Sequence, residues 1–90
     1  MIQVTETLIC STADDAAVVS ALLPDHVSLS RAEPGCLTFS VTPTDSPLVW
    51  TLDETFADRD AFDAHQTRTR TSVWYRVTAH LPRNFLVTEV

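Results

Sequence analysis

Apolar residues recur at two spacings along this 90-residue chain, and the order in which the spacing switches leaves few folds open. From Ile2 to Cys10 they alternate, with Ile2, Val4, Leu8 and Cys10 on one side and Gln3, Thr5 and Thr7 on the other. A period of two is a strand with one buried face. Helical spacing takes over in "STADDAAVVSALLPDHVSLSRAE". Ser11 or Thr12 can cap this helix, Asp14 and Asp15 suit the positive end of its dipole, and Ala17, Val18, Ala21 and Leu22 form the expected apolar stripe. Pro24 predicts a kink or the start of a second helix. "EPG" ends the segment, with Gly35, the only glycine, at a left-handed position.

Alternation returns at Leu37, Phe39 and Val41, and again at Leu48, Trp50, Leu52 and Phe56. "TPTDSP" between them is rich in turn residues, so the two runs read as a hairpin. Asp58 can cap a second helix that carries Arg68 and Arg70 near its end. "TRTRT" predicts a break near residues 67 to 71, because threonine is a poor helix former. Val73, Trp74, Val77 and Leu81 then resume a helical stripe until Pro82, and "FLVTEV" is a last strand. The resulting order, βαββαβ, is the ferredoxin-like α+β plan over residues 1–90 as one domain. It has a four-stranded antiparallel sheet, helices on one face, and the first and third strands side by side at the centre.

Composition removes several function classes. The chain carries 12 acidic residues against 6 basic ones, a formal charge of −6, whereas phosphate backbones reward lysine and arginine. No nucleic acid partner is expected. A single glycine cannot build a glycine-rich phosphate loop. No apolar run approaches the roughly 18 residues of a membrane span, and the start, "MIQVTETLIC", lacks the pattern of a signal peptide. The reading is therefore of a cytoplasmic protein with no membrane partner. Cys10 and Cys36 form no metal-ligand motif and read as small apolar residues, so no metal site is expected.

Three side chains interrupt the apolar pattern. Glu6 and Glu54 lie on the apolar faces of the first and third strands, and His65 shares a helical stripe with Ala61 and Phe62. In the ferredoxin-like plan these three converge. Burial raises a carboxyl pKa and a nearby acid raises that of histidine, so Glu54 or His65 could serve as a base near pH 7. The alternatives are a structural Glu–His pair, or an edge register that leaves both Glu6 and Glu54 in solvent. Trp50, Trp74 and Tyr75 either stack an aromatic ligand or fill a core or subunit contact. Arg76 either holds an anionic oxygen of a ligand or meets a surface acid. His26 and His80 are read as exposed.

"RAEPGCLTFSV", then "LVWTLDETFADRDAFDAHQTR", then "NFLVTEV" resemble the antibiotic biosynthesis monooxygenase family, which includes the small quinol monooxygenases. The resemblance covers nearly the whole chain and rests most on "EPGC", the E-x-F that ends the third strand, and "AFDAH". It implies a homodimer of the α/β barrel type, with sheets packed on each other and one pocket per subunit. It also implies oxidation of a small aromatic quinol or phenol by O2 with no cofactor. Glu54 and His65 match the family's strand glutamate and helix histidine, so the catalytic roles fall there. Substrate-facing positions fall at Glu6, Trp50, Phe56, Phe62, Trp74 and Arg76. Leu52, Phe56 and Phe62 stand where quinone-forming members have asparagine, tryptophan and tyrosine, and Arg70 stands where many relatives have a second histidine. A binding protein without turnover, or an isomerase or cyclase using the same base, is the alternative function. Val49, Thr51 and Thr55, weakly polar, suit the sheet face opposite the helices to a dimer contact.

Overall fold

The computed structural model describes residues 1–90. Strand β1 (Ile2–Ile9) is followed by helix α1 (Ala13–Arg31), strands β2 (Cys36–Pro43) and β3 (Val49–Phe56), helices α2 (Arg59–Arg70) and α3 (Val73–Thr78), and strand β4 (Arg83–Glu89). The sheet order is β2-β3-β1-β4, all neighbours antiparallel, which is the ferredoxin-like arrangement with β1 and β3 central. No helix is long and apolar enough to cross a membrane.

Local chemistry sets the helix boundaries. Thr12 caps α1 by accepting from the Asp15 amide at 3.1 Å, and Asp58 caps α2 by accepting from the Ala61 amide at 2.8 Å. Caps of this kind contribute about 1 kcal/mol each. The threonine-rich stretch does break the second helical segment: α2 stops at Arg70, and Ser72 caps α3 through the Tyr75 amide. Pro24 does not split α1, which runs through it as one helix. Burial on both sides of the proline, at Val19 and Leu23 before it and His26 and Ser30 after it, holds the helix to the sheet despite the missing amide.

That buried row corrects the predicted stripe of α1. Ala17, Val18 and Ala21 face solvent, while steps of four, three and four from Val19 carry the inward face through Leu23 and His26 to Ser30. The core beneath the helices has two apolar parts. The larger contains Leu8, Cys10, Val19, Leu23, Phe39, Leu52, Trp74 and Leu81, and the smaller contains Ile2, Val4, Phe56 and Phe62. Along β1 the order is Ile2, Val4, Glu6, Leu8, and along β3 it is Leu52, Glu54, Phe56, so a polar layer lies between the two parts.

Candidate active site

The polar layer is built by register. Val4 pairs with Glu54 and Glu6 with Leu52, so the two carboxylates sit diagonally on neighbouring strands and point to the same side. Both are buried. A two-residue link joins β3 to helix α2, and Phe62 packs its ring on Phe56 at 5.5 Å between centroids. A step of three along the helix and of two back along the strand leads from that apolar pair to the next layer, where His65 Nε2 lies 3.5 Å from Glu54 Oε1.

A third carboxylate stands behind the histidine. His65 Nδ1 lies 2.9 Å from Glu33 Oε1 and 3.1 Å from Oε2; an ionised carboxylate only accepts, so Nδ1 carries the hydrogen and Nε2 presents its lone pair. Arg68 Nε donates to Glu33 Oε1 at 2.6 Å, and its Nη2 donates to Ser30 Oγ at 3.0 Å, fixing the carboxylate in turn. Gly35 makes this approach possible. It has φ of 83°, and a Cβ built there would fall 2.6 Å from the Ala61 Cβ, so the turn after α1 can lie against α2 only as glycine.

Electrostatics keep the Glu54–His65 pair neutral. Burial, with Glu6, Glu33 and Asp53 adding like charge, pushes the Glu54 carboxyl up to about 8. Burial pulls His65 below its ordinary value, although the hydrogen bond to Glu33 resists this. At neutral pH the pair is a carboxylic acid beside a neutral imidazole, whose Nε2 lone pair also meets the Thr69 hydroxyl at 3.4 Å. Glu6 is also raised by burial, against the pull of Arg83, whose Nη1 lies 3.6 Å away.

These groups open on a cavity of about 210 Å3. Glu6, Glu54 and His65 line it, with Trp74 and His26 forming one wall and Arg83 and Phe85 contributed by the final strand. Arg70, Gln66, Thr69 and Tyr75 also line it. The other sequence-predicted positions lie elsewhere. Trp50 packs against the larger apolar core. Phe56 and Phe62 fill the smaller one, one layer from the cavity, although the Phe56 ring centroid is 4.9 Å from that of His65. Arg76 is exposed, because the buried residues of α3 are Trp74 and Thr78 and position 76 falls on its far side.

Three contributors were not expected from sequence. His26 is buried and not exposed; its ring stacks on Trp74 at 4.7 Å and 9°, and burial pushes it down to about 3. The 19-23-26-30 spacing was the available signal. Glu33 sits in "EPG", which reads locally only as a helix end. Arg83 follows a proline and shows no pattern. Its Nη2 donates to the Thr78 carbonyl oxygen at 2.5 Å, which ties β4 to the end of α3. His80, by contrast, is exposed, 3.5 Å from Asp15.

Comparison with known proteins places the fold and the family. The sequence profile described as "Antibiotic biosynthesis monooxygenase" matches residues 9–76. No curated protein sequence matches the chain. Among solved structures, an antibiotic biosynthesis monooxygenase is similar over 100% of this chain and 98% of its own, with 22% identity and a TM-score of 0.82. A Nitrosomonas europaea chain proposed to be of the same kind gives 98% and 97% coverage, 21% identity and 0.82. SnoaB, a cofactor-independent oxygenase from Streptomyces nogalater, gives 99% and 91%, 11% identity and 0.83. At these identities the structural likeness speaks for the fold, and the profile, which spans most of the chain, shows the kinship: the protein belongs to the antibiotic biosynthesis monooxygenase family.

Proposed function

We propose that this protein is a cofactor-independent monooxygenase of a hydroxylated aromatic, a quinol or phenol, in which His65 is the base. The observation that carries the reading is the line Glu33–His65–Glu54. One carboxylate holds Nδ1–H, so Nε2 faces the cavity ready to accept a hydroxyl proton. The imidazolium formed is stabilised by Glu33, and Glu54, carrying its own proton, donates to the new oxyanion. Family membership and the likeness to a cofactor-independent oxygenase support oxygen as the co-substrate.

The balance closes without an external reductant. The deprotonated ring passes an electron to O2, the superoxide recombines at a ring carbon, and the hydroperoxide eliminates water. A quinol and O2 thus become a hydroxyquinone and water, one oxygen atom entering the ring and the other leaving with two protons. Size supports a small ring system: a cavity of roughly 150 Å3 accepts benzene, and this one, at about 210 Å3, admits one substituted ring. Exposed Arg70, Tyr75 and Phe85 at its edge leave room for a second ring.

The test is oxygen uptake by the purified protein with a panel of quinols and phenols, beside His65→Ala. Uptake falling at least about a hundredfold in the variant is expected for loss of a positioned base. Equal uptake by both proteins would overturn the assignment, and turnover that continues under argon would make the reaction an isomerisation or cyclisation.

We assign the open sheet face to a homodimer. Thr5, Thr7, Thr38, Thr42, Thr51, Thr55 and Thr88 dominate it, with Leu86, Val49 and Ile9, and Asp53 is its one charged side chain in a chain of net charge −6. Sedimentation at micromolar concentration is expected to give a dimer; a monomer there would rule this out.

A further inference from the structure

Only two side-chain polar atoms sealed from solvent lack a hydrogen-bond partner, His26 Nδ1 and Arg83 Nε, and both belong to residues that line the cavity. The other buried polar side chains are matched. Ser30 accepts from Arg68, Thr78 donates to the Trp74 carbonyl oxygen at 2.7 Å, His65 is held by Glu33, Glu54 faces His65 and Glu6 faces Arg83. His26 has no such match at either ring nitrogen. Its ring packs on aromatic neighbours, stacked on Trp74 at 4.7 Å and nearly perpendicular to Phe39 at 5.4 Å, with the buried Leu23 and Ser30 on either side along α1.

An imidazole in an aromatic slot costs stability that a phenyl ring would not, unless something in the cavity uses its nitrogen. The something must be neutral or a hydrogen-bond partner only, because His26 is held uncharged by burial and by His65, Arg68 and Arg83 around it. The two imidazole centroids are 6.2 Å apart, so a single ring can meet both, one from α1 and one from α2.

We propose that His26 is a specificity-determining ligand contact, hydrogen-bonding through Nε2 to a second oxygen on an aromatic ligand whose first hydroxyl meets His65. The site thereby takes aromatics with two oxygen substituents in preference to simple phenols. This rests on the proposed placement of a hydroxyl at His65. Trp74 holds the His26 ring flat, Nδ1 stays sealed on the protein side, and the ligand supplies the partner that the protein does not give Nε2.

Binding of 1,4-dihydroxynaphthalene and 1-naphthol, measured under argon, separates the possibilities, since the two ligands differ by one oxygen. Wild type is expected to bind the diol about tenfold tighter, the worth of one good hydrogen bond. His26→Phe, which keeps the stack on Trp74, is expected to melt at the same or a higher temperature and to bind the two ligands alike. Imidazole 15N spectra of the wild type probe the same contact without a variant: the diol, and not naphthol, shifts the His26 nitrogens. Equal binding of both ligands by wild type, or an equal loss of both in His26→Phe, would overturn the His26 assignment. If His65→Ala still weakened both ligands in that case, the hydroxyl site at His65 would stand. No binding of either ligand to wild type would overturn both readings together.

Discussion

His65 and His26 border one cavity, are equally buried, and touch the same Phe39 ring, yet the fold treats them in opposite ways. His65 has a carboxylate at its back, so one nitrogen is committed and the other is aimed. His26 has an indole at its side, which fixes the plane of the ring and commits neither nitrogen. Burial depresses both, but only His65 has a partner that resists the depression. Burial therefore does not make a base; a charged group placed to receive the proton's consequences does. On the proposed reading the first histidine takes a proton and the second only recognises the ligand.

The largest expected break in that comparison is Glu33→Gln. The amide keeps the shape but can donate to Nδ1, which allows the other tautomer and removes the charge that stabilises the imidazolium. Turnover of a quinol substrate is expected to fall about a hundredfold, the low end of what a positioned base contributes, with substrate affinity little changed. A fall confined to KM would show that Glu33 only shapes the cavity.

Glu54→Gln sharpens the comparison through pH. With the Glu54 carboxyl at about 8, wild-type activity is expected to decline as pH rises through 8, when a carboxylate replaces the acid beside the forming oxyanion. The variant carries a permanent donor, so its profile should stay flat through that range at a several-fold lower plateau. An alkaline decline that persists unchanged in the variant would assign it to another group.

A smaller effect separates the histidines by stability. His26 titrates near 3 in the folded chain and near 6.5 when unfolded, so the unfolded chain binds more protons between those values. The sign follows: its contribution is complete above about pH 6.5 and is lost as pH falls towards 3. Urea midpoints of wild type should drop across that window, and the drop should shrink by a measurable part in His26→Phe. Parallel curves for the two proteins would show that His26 does not titrate as its burial requires.

Much of this was legible because its signals are periodic and local. The spacing-two runs defined strands whose register brings Glu6 and Glu54 together, and the Asp58 cap with the Phe62–His65 spacing faced the imidazole inward. Trp74 could be read only as an aromatic with two possible homes. Trp50, Phe56, Phe62 and Arg76 went to the core or to solvent instead of the cavity. A pattern tells which face a residue is on but not how far along that face the cavity lies.

The order of elements, the sheet face that carries carboxylates and the membership of His65 in that layer follow from the chain alone, because hydrogen-bonded backbone periodicity is written in neighbouring residues. Packing of separate elements is what sets Glu33, 32 positions away, at His65 Nδ1, brings Arg83 to Glu6, and lays His26 flat on Trp74 with no hydrogen-bond partner. These contacts arise where separate elements dock. No local period encodes the angle and depth of docking, which are set by side-chain volume and, at Gly35, by the absence of one.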